Sequence, residues 1–144
     1  MQNQQKPGTN DARIHQLYDL KTTKVTIGGH TFNSWVADEE SAREEGMMFL
    51  EDKEVKATEG MLFVFPDEKD RSFWMKNTYI DLDIAYISKA GKVVSVKTMK
   101  AHDETGVPSD GPAMYALEVK AGTFKRAGIR KGMAATINPP VKGS

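Results

Sequence analysis

The sequence predicts a β-rich α+β fold: a single compact curled sheet or small barrel of about eight short strands with one or two short helices. Three observations lead there. Short apolar runs recur along the chain and are divided by turns rich in Gly, Pro and Asp. One stretch only, around residues 38–45, carries a clear helix start and stop. Strands and helices do not alternate, so a doubly wound parallel sheet is not expected.

Taken in order, Thr23-Lys-Val-Thr-Ile27 alternates polar and apolar residues, as a half-buried strand does. Gly28-Gly29 and then Thr31–Val36 complete a β-hairpin, because both turn positions can take positive φ. Asp38–Glu45 reads as a helix, with Asp38 as the cap, Glu39 and Glu40 suited to the positive end of the dipole, and Gly46 as the stop. Met47–Leu50 would dock that helix on the core. Gly60–Phe65 is an apolar strand ended by Pro66 and followed by a turn over 67–70. Ser72–Lys76 is read as another short strand. Leu82–Ile87 and Lys92–Lys97 flank a Lys89-Ala90-Gly91 turn and form a second hairpin. Residues 101–113 read as a loop, 114–119 as a strand, 122–127 as one or two helical turns ended by Gly128, and 134–137 as the closing strand.

With 144 residues the chain has the length of one domain. Residues 1–20 are expected as a polar flexible tail and lead-in, 21–140 as the globular domain and 141–144 as a tail. Mean hydropathy of −0.52, with no long apolar run, argues against a membrane span. The 20 Lys and Arg balance the 20 Asp and Glu, which speaks against a general nucleic-acid binder. The balance is uneven, however: residues 1–88 hold 10 basic and 16 acidic residues, and residues 89–144 hold 10 and 4. These either neutralise each other within the fold or form two oppositely charged surfaces.

Zero cysteines exclude a disulfide framework, a cysteine nucleophile and a thiolate metal site. His15, His30 and His102 lack the spacing of a helical zinc pair, so no metal and no cofactor are expected. Eight methionines raise the idea of Cu(I), but they lie in apolar runs and suit gap-filling in a core. No nucleophile elbow, Walker loop or dinucleotide fingerprint is present.

The densest chemistry is Phe73–Asp83. Trp74 on a strand followed by Lys76, Asn77 and Thr78 in a turn would give an apolar wall with a polar rim, as ligand pockets have. The plainer alternative makes Trp74 a core residue, Asn77 and Thr78 turn formers and Lys76 a solvated charge. Asp83, between Leu82 and Ile84, faces the other side of its strand and needs a partner such as Lys76 if buried.

Arg43–Phe49, Gly60–Phe65, Phe73-Trp-Met-Lys-Asn-Thr78 with Leu82-Asp83-Ile84, and Leu117-Glu118 with Ala121-Gly122 occur in that order. From about residue 22 to 138 the chain resembles the bacterial and archaeal family called domain of unknown function 192. The resemblance implies a compact β-rich domain with a short helix. It also implies a periplasmic or secreted home, since many members follow a secretion signal; none is present in this chain. It carries no established activity. The chain departs from the family pattern at Leu50, Asp81 and Gly132-Met133, whereas Lys76-Asn77-Thr78 and Asp83 match it in full.

The leading expectation is a non-enzymatic cell-envelope or secreted domain that binds a small molecule, glycan or protein segment. Its face would use Trp74, Lys76, Asn77, Thr78 and Asp83 with Met48 and Glu118. The alternative is a hydrolase or isomerase of a cell-wall or sugar-like substrate. That reading requires Asp83, Glu118 and Lys76 to converge on one point.

Overall fold

A computed structural model describes residues 5–144; Met1–Gln4, the start of the expected flexible tail, lie outside the described residues. The fold is mostly β. Seven strands form one curled sheet, and two further strands form a small ribbon. In chain order the elements are β1 (Thr22–Ile27), β2 (His30–Ala37), α1 (Glu40–Glu45), β3 (Glu59–Lys69), β4 (Ser72–Phe73), β5 (Leu82–Ile87), β6 (Val93–Met99), β7 (Val107–Pro108), β8 (Ala113–Lys120), α2 (Thr123–Ala127) and β9 (Ala135–Asn138). The large sheet runs β6-β5-β8-β3-β2-β1-β9, and β4 pairs with β7.

The hairpin turn forms as expected, with Gly28 and Gly29 at φ 56° and 78°. β2 and β3 are the one parallel pair in the large sheet. Parallel neighbours need a long connection, and residues 38–58 supply it, carrying α1 across one face of the sheet.

Several local expectations are corrected. α1 starts at Glu40 with Glu39 at the cap position and no side-chain cap bond. Asp38 pairs instead with the Lys21 ammonium. β3 runs through Pro66 to Lys69, because its register with β8 breaks between Val64 and Lys69. Proline lacks an N–H, and such an irregularity is where a strand tolerates that loss. The strand expected over 72–76 stops at Phe73, and Met75–Thr78 is a turn closed by the Thr78 N–H on the Met75 carbonyl at 3.1 Å. The loop over 101–113 contains β7, held by the Tyr86 hydroxyl donating to the Val107 carbonyl.

Residues 60–64 of β3 and all of β5 are buried on both sides, which accounts for their apolar character, broken in β5 only by Asp83. On one face Met61, Phe63, Ile84, Tyr86 and Ala116 pack with Met47, Leu50 and Met75 from the crossover and the β4–β5 connection. On the other, Leu62, Ala85, Leu117 and Val119 pack with Phe32, Phe124 and Ile129. Phe124 and Phe32 meet edge to face at 5.8 Å. Burying a ring such as Phe124 stabilises the docking of α2 by about 1.5–3 kcal/mol.

The lead-in segment packs against the crossover. The Arg13 guanidinium is buried and donates to the carbonyls of Gly46 (2.9 Å), Met48 (2.7 Å) and His15 (3.0 Å). Glu45 lies 3.6 Å from it and accepts the N–H groups of Ile14 and His15. Across the two charge portions of the chain, Lys120 pairs with Asp52 at 3.1 Å and Lys100 with Asp81 at 3.8 Å. Among the described residues no helix is long and apolar enough to cross a membrane.

Candidate functional site

Where α1 and the 46–48 loop cross the sheet, they leave a cavity of about 500 Å³. That volume lies in the range of small-molecule sites. The sheet supplies Phe63, Phe65 and Glu118, the ribbon supplies Phe73, and the crossover supplies Met47 and Met48. Trp74 and Thr78 close one side; Glu40, Arg43 and Glu44 form the rim on α1.

The wall is rigid for a physical reason. Phe73 meets Phe63, Tyr86 and Phe65 edge to face, with ring centres 4.9, 5.6 and 6.1 Å apart. The Phe65 ring is covered by the Arg71 guanidinium at 3.8 Å and faces that of Arg43 at 5.2 Å. Both cations are already engaged. Arg43 donates to the carbonyls of Val64 (2.9 Å) and Ser144 (2.6 Å). Arg71 donates to the Asp67 carboxylate at 2.9 Å and the Ala113 carbonyl at 3.0 Å.

Glu118 is different. It lies in the middle of β8, opposite Met61 on one side and Ile84 on the other, on the face that floors the cavity. It is 4 % exposed, and among the described residues its carboxyl has no hydrogen-bond or ion-pair partner. Burial alone pushes its pKa up to about 8, so the group is mostly neutral at pH 7. The same burial, helped by Glu118, raises the Tyr86 phenol far above its usual range.

Of the seven residues expected at a site, the structure gathers four around this cavity: Met48, Trp74, Thr78 and Glu118. Trp74 is 48 % exposed at the mouth and is not a core residue. Lys76 and Asn77 do not line the cavity. The Lys76 ammonium lies 5.3 Å from the Trp74 ring, and Asn77 takes φ 54° in the turn, its carbonyl accepting the Phe49 N–H.

Asp83 points to the opposite face. Its carboxylate accepts the Thr98 hydroxyl at 2.8 Å and the Phe124 N–H at 3.1 Å, so its partners are these and not Lys76. Asp83, Glu118 and Lys76 therefore do not converge. Among the described residues no three His, Asp or Glu side chains gather as a metal site requires. Arg43, Phe65 and Arg71 were not singled out as site residues in the sequence, because Arg43 reaches Phe65 only when the crossover lays α1 over β3 and Arg71 only when the chain folds back after β3.

The comparisons with known proteins agree with this architecture. The model of the family DUF192, described as "Uncharacterized ACR", matches residues 23–137. The chain belongs to this family. Among curated proteins none matches the chain. A solved structure from Sinorhizobium meliloti 1021, described as a "putative transcription regulator", is 31% identical with a TM-score of 0.78, covering 82% of this chain and 95% of that one. A protein of unknown function from Novosphingobium aromaticivorans DSM 12444 is 32% identical with a TM-score of 0.74, covering 86% of this chain and 91% of that one. This member of the DUF192 family shares its fold with both.

Proposed function

We propose that this chain is a non-enzymatic binding domain whose ligand is a small molecule held between α1 and the sheet. The observation that carries the reading is the cavity of about 500 Å³ with aromatic walls and one unpartnered carboxyl, Glu118, on its floor. The cavity's aromatic and thioether wall is combined with charged side chains from α1 and from residues 67–71, and ligand sites join apolar walls to placed polar groups in this way. The Glu118 carboxyl has no protein partner and opens onto the cavity, so a ligand can take it as its hydrogen-bonding anchor.

The cell-envelope or secreted location belongs to the same proposal and rests on the family resemblance. Fractionation of the native host tests it: recovery with cytoplasmic markers overturns the location and leaves the binding reading intact.

The binding reading is tested by a fragment screen followed by ¹H–¹⁵N NMR of the full chain. Binders are expected to shift the Trp74 indole N–H and the amides of Met48, Phe73 and Thr78 together. A screen in which every hit clusters elsewhere, or in which nothing binds, overturns it.

A further inference from the structure

The carboxyls and the cations that line the cavity differ in how they are held. On the basic side, Arg43 and Arg71 are held by carbonyls and by Asp67, and Lys69 lies 3.7 Å from Asp67. On the acidic side, Glu45 is taken by Arg13 and two backbone N–H groups. That leaves Glu40 and Glu44 on the exposed rim and Glu118 on the floor, none with a hydrogen-bond or ion-pair partner among the described residues. Aromatic and thioether side chains fill the space between rim and floor. An anionic ligand would meet the Glu118 carboxyl at the bottom, while the guanidiniums of Arg43 and Arg71 are turned to carbonyls, to Asp67 and to the Phe65 ring. A neutral ligand would use Glu118 only as a hydrogen-bond donor or acceptor and leave the rim charge idle. A cation with an apolar body satisfies all of these features, and aromatic walls favour cations further.

Resting on the binding reading above, we propose that the pocket takes an organic ammonium ion with an apolar body, its ammonium group seated against the Glu118 carboxyl. The balance of the step is simple. The protonated Glu118 releases its proton to solvent as the R–NH₃⁺ group arrives, and a carboxylate–ammonium pair remains in the cavity. No covalent bond is made or broken in the ligand. The charged and titratable groups around Glu118 are Tyr86 on β5, Lys97 on β6 (paired with Asp110 at 2.7 Å), Asp67 and Lys69 on β3, Arg71 beside it, Glu40, Arg43, Glu44 and Glu45 on α1, and Lys120 on its own strand. Lys120 is tied to Asp52 and Glu45 to Arg13. Glu118 is thus the group whose protonation changes when the cation enters; its raised pKa, set by burial alone, agrees with this.

The test uses the full chain and three probes that share a phenyl ring and differ in charge: 2-phenylethylamine, 2-phenylethanol and benzoate. Titration calorimetry at neutral pH, in two buffers of different ionisation enthalpy, gives affinity and proton count together. The amine is expected to bind at least about tenfold tighter than the alcohol and to release close to one proton, with benzoate weakest. In Glu118→Gln, which keeps the shape of the protonated side chain, the amine is expected to lose its advantage and release no proton. Equal or tighter binding of the alcohol or benzoate to the unaltered protein overturns the cation and keeps the pocket. Amine binding without proton release, or unchanged in Glu118→Gln, places the cation away from Glu118 and also overturns the inference. If none of the probes shifts the Trp74 indole N–H, the inference falls together with the binding reading.

Discussion

Asp83 and Glu118 stand one register step apart on adjacent strands, yet their carboxyls face opposite sides of the sheet. Asp83 lies opposite Val119 and Ile84 lies opposite Glu118, so the pleat sends one acid toward α2 and the other into the cavity. Both are nearly sealed from solvent, at 3 % and 4 % exposure. Their surroundings make them opposites. Asp83 accepts two hydrogen bonds and ties β5 to β6 and to α2, whereas Glu118 accepts none among the described residues.

The first prediction follows from Asp83. Removing its carboxylate in Asp83→Ala strands the Phe124 N–H and the Thr98 hydroxyl and loosens α2. Urea unfolding is expected to show a loss of about 1–3 kcal/mol. Probe binding on the other face should survive in the folded fraction. A variant as stable as the parent would mean that α2 docks through Phe124 and Ile129 alone.

The second concerns Glu118 and pH. Burial raises its folded pKa above the ordinary 4.5 to about 8, so the native state holds a proton that the unfolded chain gives up. Stability from this group is therefore full below about pH 4.5 and falls as pH rises toward about 8, by roughly 1.4 kcal/mol per pH unit. Glu118→Gln cannot ionise and should lack this decline. Urea midpoints for both proteins across that window are expected to diverge in favour of the variant as pH rises. Parallel profiles would show that Glu118 is hydrated and ionises freely in the native state.

The same pair of acids marks where the sequence could be read and where it could not. Alternation placed Asp83 on the other side of β5 from Leu82 and Ile84, correctly, because strand periodicity is local. Its partners were not legible: Thr98 and Phe124 come from a hairpin neighbour and from a helix beyond β8. The strand runs, the Gly28-Gly29 turn and the Gly46 and Gly128 stops were legible for the same local reason. The parallel pairing of β2 with β3 was not, since nothing in residues 38–58 states which strand the chain returns to. The cavity is a product of that crossover, so its floor and its arginine-covered wall appear only in three dimensions.

The third prediction tests how the crossover is held. Arg13 satisfies the carbonyls of Gly46 and Met48 and stands by the buried Glu45. Arg13→Ala leaves these acceptors facing a void and an acid without its cation. Losing one partner of a buried pair costs about 3–5 kcal/mol. Hydrogen exchange is expected to accelerate at the amides of residues 46–50, and the Met48 side of the cavity should loosen. Arg13→Lys should recover only part of the loss, because one ammonium cannot reach all the acceptors of the guanidinium fork. Exchange unchanged at these amides would assign the position of the loop to Met47 and Leu50 packing instead.

The fourth concerns Gly60, whose missing side chain sets the spacing between β3 and β8. A Cβ built there would lie 2.6 Å from the Glu118 carbonyl oxygen and 2.9 Å from a Val119 methyl. The nearer obstacle is backbone in the centre of the sheet, so it cannot swing away as a side-chain tip would. Gly60→Ala must therefore push the two strands apart at the residue that carries the cavity floor. Overpacking of this kind costs about 1–3 kcal/mol. Calorimetric unfolding should register that loss, and the displaced Glu118 should weaken binding of the ammonium probe more than that of its neutral counterpart. The asymmetry is the informative part. A general loosening of the sheet would lower both affinities alike, whereas a shift of the floor penalises the ligand that depends on Glu118.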